Sequence, residues 1–118
     1  MKKVLITGAN RGLGFHLMNE FASSGCMVFP HTREIETNNK TLNGDITSED
    51  FCDKLENFLY ENEIEVFINN AAIYKSKNFL EYSKKEIVDL INVNLTSQIL
   101  IIQVVYKYFL KKNSGFIV

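Results

Sequence analysis

The sequence lacks several features that would assign it to a specialised class. It has only two cysteines, Cys26 and Cys52, and they fall in no C-x-x-C or metal-ligand spacing. They read as reduced thiols, and no metal site is expected. There is no basic run and the formal net charge is −1, so the electrostatic footprint of a nucleic-acid binder is missing. No apolar run reads as long enough to cross a membrane. Lys2-Lys3 precedes Val4-Leu5-Ile6 as in a signal peptide, but that apolar stretch is too short and is broken by Thr7-Gly8. These absences predict a cytoplasmic protein with neither a nucleic-acid nor a membrane partner. The single proline, Pro30, cannot donate a ladder hydrogen bond and is expected at a strand end. No internal repeat, low-complexity tract or linker divides the chain.

What is present suits one packed domain. Of the 118 residues, 46% are hydrophobic and 23% charged, enough for a core of modest size. Residues 2–6 read as a buried strand. A helix follows from about Gly12 to Ser24, with Leu13, Leu17 and Phe21 on one face and Gly25 at its end. Cys26 to Phe29 or His31 is a second strand, residues 34–40 a polar loop, and Thr41–Gly44 a weak third strand. Thr47 and Asp50 form a capping pattern, and Glu49 and Asp50 put negative charge in the first turn of a second helix. Phe51, Leu55, Phe58 and Leu59 form that helix's apolar stripe. Val66-Phe67-Ile68, apolar throughout, reads as a strand covered on both faces. Ser83 and Glu86 form a capping box that opens a long helix to Lys111 or Lys112, apolar almost all round. Gly115–Val118 begins a fifth strand. Strands alternating with helices predict an α/β fold, a Rossmann-like doubly wound parallel sheet that stops just after its fifth strand begins.

The chemistry centres on Thr7-Gly8-Ala9-Asn10-Arg11-Gly12-Leu13-Gly14. Glycines at this spacing let a chain leave a strand, turn sharply and enter a helix, so that backbone N–H groups can approach a diphosphate. Thr7-Gly8-x-x-x-Gly12-x-Gly14 resembles the cofactor turn of the short-chain dehydrogenase/reductases. Three further matches follow in that family's order. Asp45 resembles its adenine-contacting aspartate. Asn69-Asn70-Ala71-Ala72 resembles its Asn-Asn-Ala-Gly, with alanine in place of the last residue. Asn94 resembles its active-site asparagine on the long helix. Each motif alone has a plainer reading as a ligand-free turn, a turn-forming Asp, an Asn-rich strand end or a helix-bending Asn. The matches support one another because they occur in order along nearly the whole chain.

The resemblance implies a cofactor-binding set of Gly8, Asn10, Arg11, Gly12, Leu13, Gly14, Thr32, Arg33, Asp45, Ile46, Asn70, Ala71 and Ala72, with Asn94 as the catalytic residue present. NAD(H) offers a ribose hydroxyl that suits a carboxylate, whereas NADP(H) offers a phosphate that suits a guanidinium. Thr32 stands at the carboxylate position, followed by Arg33, and Arg11 lies in the glycine turn. NADP(H) is therefore expected, with NAD(H) possible through Glu34. The implied reaction is hydride transfer between the dinucleotide and a small carbonyl or alcohol substrate.

The family's proton relay uses a serine and a Tyr-x-x-x-Lys pair beyond the fifth strand, past Val118. A Tyr-x-x-x-Lys does occur at Tyr108 and Lys112, but on the long helix, where packing is its expected role. The expectation is thus an NAD(P)-binding domain over 1–118 that lacks the C-terminal catalytic part and is inactive alone. The alternatives are a non-enzymatic NADP-binding module and an inactive gene remnant. The apolar helix 83–112 suggests a homo-oligomer.

Overall fold

A computed structural model describes residues 1–34 and 38–118; residues 35–37, inside the expected polar loop, lie outside the described residues. The chain runs β1 (Lys3–Ile6), α1 (Gly12–Ser23), β2 (Met27–Thr32), β3 (Leu42–Asn43), α2 (Phe51–Asn62) and β4 (Val66–Ile68). A 3₁₀ turn (Phe79–Glu81), α3 (Lys84–Ile91), a π-helical turn (Asn92–Thr96), α4 (Ser97–Lys112) and β5 (Phe116–Ile117) follow. All strand pairs are parallel, in the order β3-β2-β1-β4-β5. The expected fold class is therefore observed.

Side-chain alternation along the strands builds two layers. Val4, Ile6 and Ile68 project to one face, where Leu17, Met18 and Phe21 of α1 cover them. Leu5, Phe29 and Phe67 project to the other, against the stripe Phe51, Leu55, Phe58 and Leu59 of α2 and against Ile101, Val105 and Phe109 of α4. Strands buried on both faces must be apolar at successive positions, as β1 and β4 are. Burying such side chains is the main drive for this arrangement, about 25 cal/mol for each Å² of apolar surface removed from water.

Four local expectations are corrected. Leu13 is 67% exposed rather than core-facing. The inner face of α1 starts instead at buried Gly14, whose close approach to the sheet turns Leu13 outward. Pro30 lies inside β2, opposite Ile6, and not at its end. Met27 donates to Lys2 and His31 accepts from Ala9 on the β1 side, so Pro30 faces the other side, where β3 has not yet begun. Its missing N–H is therefore not needed. Thr47 does not cap α2, because its amide and hydroxyl both donate to Asp45. Asp50 holds the N-cap position without a side-chain cap, and the acidic residue of the first turn is Asp53.

The fourth correction concerns the long helix. The Ser83–Glu86 capping box is present as expected, but α3 and α4 are joined through the π-helical turn, where Ser97 N–H reaches back to Asn92 O. Residues Lys84–Lys112 together form a 29-residue rod long and apolar enough, by length and composition, to cross a membrane. Only 11% of its most apolar stretch is buried; the inward side is Ser97, Ile101, Val105, Tyr108 and Phe109 of α4. Ile87, Val88, Ile91, Leu95, Ile99 and Leu110 stay exposed.

Tyr108 is a packing residue, as expected. Its ring lies edge-on to Tyr60 at 4.8 Å, and its hydroxyl donates to Ile64 O at 3.0 Å. Lys112 Nζ sits 5.3 Å above the ring and also donates to Ile64 O. Burial pushes the phenol's pKa up despite the nearby lysine, the opposite of what a catalytic tyrosine needs. Tyr108→Phe should lower the unfolding free energy by about 1 kcal/mol, since Lys112 still partners the Ile64 carbonyl. Urea unfolding measures this, and an unchanged midpoint would contradict the assigned bond.

Candidate functional site

β1 and β4 are neighbours in the sheet, but their chains leave to opposite sides. The crevice between their carboxyl ends is where ligands bind in sheets of this kind. Thr7, fully buried, closes its floor. Its hydroxyl accepts from the amides of Asn70 (2.9 Å) and Ala71 (3.0 Å) and donates to Ile68 O (3.4 Å). Asn70 Nδ2 returns two bonds, to Thr7 O at 3.0 Å and Gly8 O at 3.1 Å. A Cβ on Gly14 would stand 2.2 Å from Gly8 O and 2.5 Å from Asn70 Nδ2. Only glycine therefore lets α1 begin this close to the β1–β4 junction. A Cβ on Gly12, where φ is +57°, would meet nothing within 4 Å. The N-cap Arg11 forms no side-chain cap, and the first turn of α1 holds no acid. The N–H groups and positive dipole end of α1 thus face an open space suited to an anion.

The second wall comes from the ends of β2 and β3. His31, 1% exposed, accepts the Gly8 N–H at Nδ1 (3.1 Å), and its Nε2 lies 2.8 Å from Gly44 O. Its ring meets Phe51 edge-on at 5.3 Å. Burial pushes its pKa down, against the hydrogen bond to Gly44 and the Asp45 charge, which favour the cation. Next to Gly44, Asp45 accepts from Thr47 N (2.9 Å) and Thr47 Oγ1 (2.8 Å). These bonds, with Arg33 at 3.5 Å, hold the Asp45 carboxyl below the usual carboxylate range. The Arg33–Asp45 pair is exposed at the cleft rim, where such a pair adds little stability.

The third wall is the segment after β4. Both ends of the Asn94 amide are occupied by Ile73: Oδ1 accepts its N–H at 2.9 Å and Nδ2 donates to its carbonyl at 2.8 Å. Gln98 Nε2 ties Ala71 O (2.7 Å) to Val93 O (2.9 Å). The π-helical turn is what presents Asn94 and Val93 to this segment, as such turns often do at functional sites. Further on, Glu86 accepts from Lys77, from the Ser83 amide and from Lys75, which together pull its pKa to about 2. Tyr82 adds a hydroxyl bond to Lys75 O.

These walls enclose a cleft of about 600 Å³, within the range of small-molecule sites. Of the expected residues, Gly8, Asn10, Arg11, Gly12, Arg33, Asp45, Ile46, Asn70, Ala71 and Ala72 line it. Leu13, Gly14, Thr32 and Asn94 do not. Leu13 faces solvent, and Gly14 packs beneath the turn. Thr32 is buried with its hydroxyl on Glu34 O, and Asn94 acts through Ile73. Glu34, the carboxylate considered for NAD(H), is exposed outside the cleft lining. Sequence reasoning missed His31, Thr47, Ile73, Lys85, Asp89, Asn92 and Val93, which also line the cleft. Only His31 carried a legible signal: an imidazole two residues before the expected ribose-binding arginine.

Two stability outcomes follow from this geometry. Gly14→Ala should cost about 3 kcal/mol, because backbone at Gly8 cannot give way. Gly12→Ala should cost about 1 kcal/mol, from its left-handed backbone alone. Chemical denaturation ranks the two, and the reverse order would overturn the assigned packing. Below the ordinary histidine range the unfolded imidazole takes up a proton that buried His31 refuses. Stability should therefore fall as pH drops from 7 towards 5, and His31→Gln should flatten that limb. Parallel pH profiles of the two proteins would refute this assignment.

Comparison with known proteins extends these observations. The chain is 27% identical over 132 residues to the 3-oxoacyl-(acyl-carrier-protein) reductase FabG of Buchnera aphidicola subsp. Baizongia pistaciae, matching 99% of this chain and 53% of the reductase. It superimposes on a short chain dehydrogenase from Leptospira borgpetersenii, solved with bound NAD+, with a TM-score of 0.84 and 24% identity, over 98% of this chain and 49% of that one. It superimposes equally on ElxO with NADP bound, with a TM-score of 0.84 and 23% identity, over 98% and 53% of the two chains. The chain thus spans about half the length of the relatives it matches. A family profile described as short chain dehydrogenase matches residues 2–118. That match over almost the whole chain places it in the short-chain dehydrogenase family.

Proposed function

We propose that this chain is the cofactor-holding part of an oxidoreductase that moves hydride between a nicotinamide dinucleotide, NADP(H) in preference to NAD(H), and a small carbonyl or alcohol substrate. The observation that carries the reading is the uncapped start of α1 facing the cleft, with Gly12 open to it. Such a site suits a diphosphate, and a dinucleotide adds two ends that reach the other walls. Asp45 and Ile46 border the adenine end in this reading, and Asn70, Ala71 and Ala72 border the other. Arg11 and Arg33 both line the cleft, and a guanidinium matches phosphate geometry better than it matches a ribose hydroxyl. The structural neighbours include one holding NAD+ and one holding NADP, so the preference rests on these arginines.

When bound, the nicotinamide supplies the hydride. The chain's own residues bind and orient: the glycine turn holds phosphate, Arg33 exchanges Asp45 for a ribose phosphate, and Asn94 keeps the Ala71–Ile73 segment in place. Tyr108 plays no part in proton transfer in this reading, being buried at Ile64 away from the cleft. The substrate in this reading is a small carbonyl or alcohol compound. The exposed apolar side of the helix 84–112 supports association with a second copy, and the reading places the protein in the cytoplasm.

Calorimetric titration with NADP+ and NAD+ tests the proposal. The chain should bind NADP+ about tenfold more tightly than NAD+, and Arg33→Ala should remove most of that preference while leaving NAD+ binding nearly unchanged. Gly12→Val should abolish binding of both, because its side chain would occupy the diphosphate's approach. No binding by the unaltered chain, or unchanged affinity in Gly12→Val, would sink the reading.

A further inference from the structure

We propose that His31 is a positioning residue for the dinucleotide, a neutral imidazole that locks the phosphate-facing turn to the adenine-facing loop. This rests on the dinucleotide reading of the cleft. β2 lies between the strand that ends in the glycine turn and the strand that ends at Asp45, and His31 sits near its carboxyl end. Three of its bonds reach the two loops. Its carbonyl accepts from Ala9 N at 3.0 Å, its Nδ1 accepts from Gly8 N at 3.1 Å, and its Nε2 meets Gly44 O at 2.8 Å. Gly8 and Ala9 are consecutive residues of the turn, and Gly44 immediately precedes Asp45.

The chemistry of the partners selects one protonation state. An amide N–H only donates, so Nδ1 must be bare. A carbonyl only accepts, so Nε2 must carry the proton. The neutral Nε2–H tautomer satisfies both, whereas the cation and the other tautomer each leave the Gly8 amide facing an N–H. The ring is almost wholly enclosed, so water cannot take over either bond. The charges acting on it are opposed: Asp45 favours the cation and Arg33 disfavours it. From α2 the ring meets uncharged Phe51, while the Lys54 ammonium lies near Gly44. Burial is the larger influence and keeps the ring neutral. Gly8 and Asp45 both line the cleft, so losing His31 frees both of its ends from each other. An apolar ring would fill the space but leave the Gly8 amide and the Gly44 carbonyl without these partners.

The test compares NADP+ and NAD+ affinity at pH 7.5 in the unaltered chain, His31→Phe and His31→Gln. Phenylalanine keeps the volume and removes both bonds, and should weaken both dinucleotides about tenfold. Glutamine offers one acceptor and one donor, and should restore affinity to within about threefold of the unaltered chain. A purely space-filling role predicts the reverse order of the two variants, and that result would overturn the proposal, as would equal affinity in all three proteins. If either variant fails to fold, ¹⁵N NMR of the imidazole in the unaltered chain decides. A bare Nδ1 and a protonated Nε2 support the proposal; the other tautomer or a cation at pH 7.5 overturns it. Failure of the unaltered chain to bind either dinucleotide would remove the underlying reading as well, whereas binding that is insensitive to His31→Phe removes the proposal alone.

Discussion

The Thr7 hydroxyl is the interaction on which the site depends. It accepts two successive amides, from Asn70 and Ala71, and the Asn70 side chain answers with bonds to Thr7 O and Gly8 O. It takes over where ladder pairing ends at Ile6 and Ile68, beside one last backbone bond from Thr7 N–H to Ile68 O at 3.0 Å. A hydroxyl is suited to the place: small, able to accept twice and donate once, and satisfied without water in a buried position. With that junction closed, Gly14 has to be glycine, α1 has to start close to the sheet, and its N-terminus has to face the cleft.

The other two walls are hung from this junction by side chains that bond to backbone. His31 ties the glycine turn to Gly44, and Asn94 and Gln98 tie the segment after β4 to the π-helical turn. Loops without regular ladders need such partners, since a buried backbone group left unpaired costs as much as a lost hydrogen bond. The outcome is a cleft whose polar lining is largely fixed by the protein itself. Among the groups that face its opening are the N-terminus of α1 and the exposed guanidinium groups of Arg11 and Arg33. That division between internally committed and outward-facing polar groups is what distinguishes a prepared anion site from a tight turn that happens to contain glycine.

Much of the architecture could be read in advance where a single period dominates. The continuous apolar character of Val4–Ile6 and Val66–Ile68, the stripe of α2 and the Ser83–Glu86 capping box are local patterns with local causes. Reading failed where two elements compete for the same residue. Leu13 has helical spacing with Leu17 and Phe21, yet the approach of Gly14 to Gly8 sets the rotation of α1. Thr47 and Asp50 have capping spacing, yet the carboxylate of Asp45 takes Thr47 first. Pro30 breaks a strand pattern on paper, but its effect depends on where the short β3 begins. The site fared similarly: motif residues on the turn, the Asp45 loop and the segment after β4 converge on the cleft, while Thr32 is buried with its hydroxyl on the Glu34 carbonyl.

The sequence by itself determined the order of elements, the parallel sheet and the position of the glycine turn, because each is encoded by short-range patterning or by residues with special backbone freedom. The tertiary structure decided which of those residues share a surface. It placed Arg11, Arg33 and Asp45 around one opening, buried Tyr108 against Ile64 instead of the cleft, and brought His31 between two loops with one neutral tautomer to serve both. These are contacts between residues distant in the chain, such as Thr7 with Asn70 and Asn94 with Ile73. Their existence depends on strand order and on close backbone approach, neither of which a local pattern specifies.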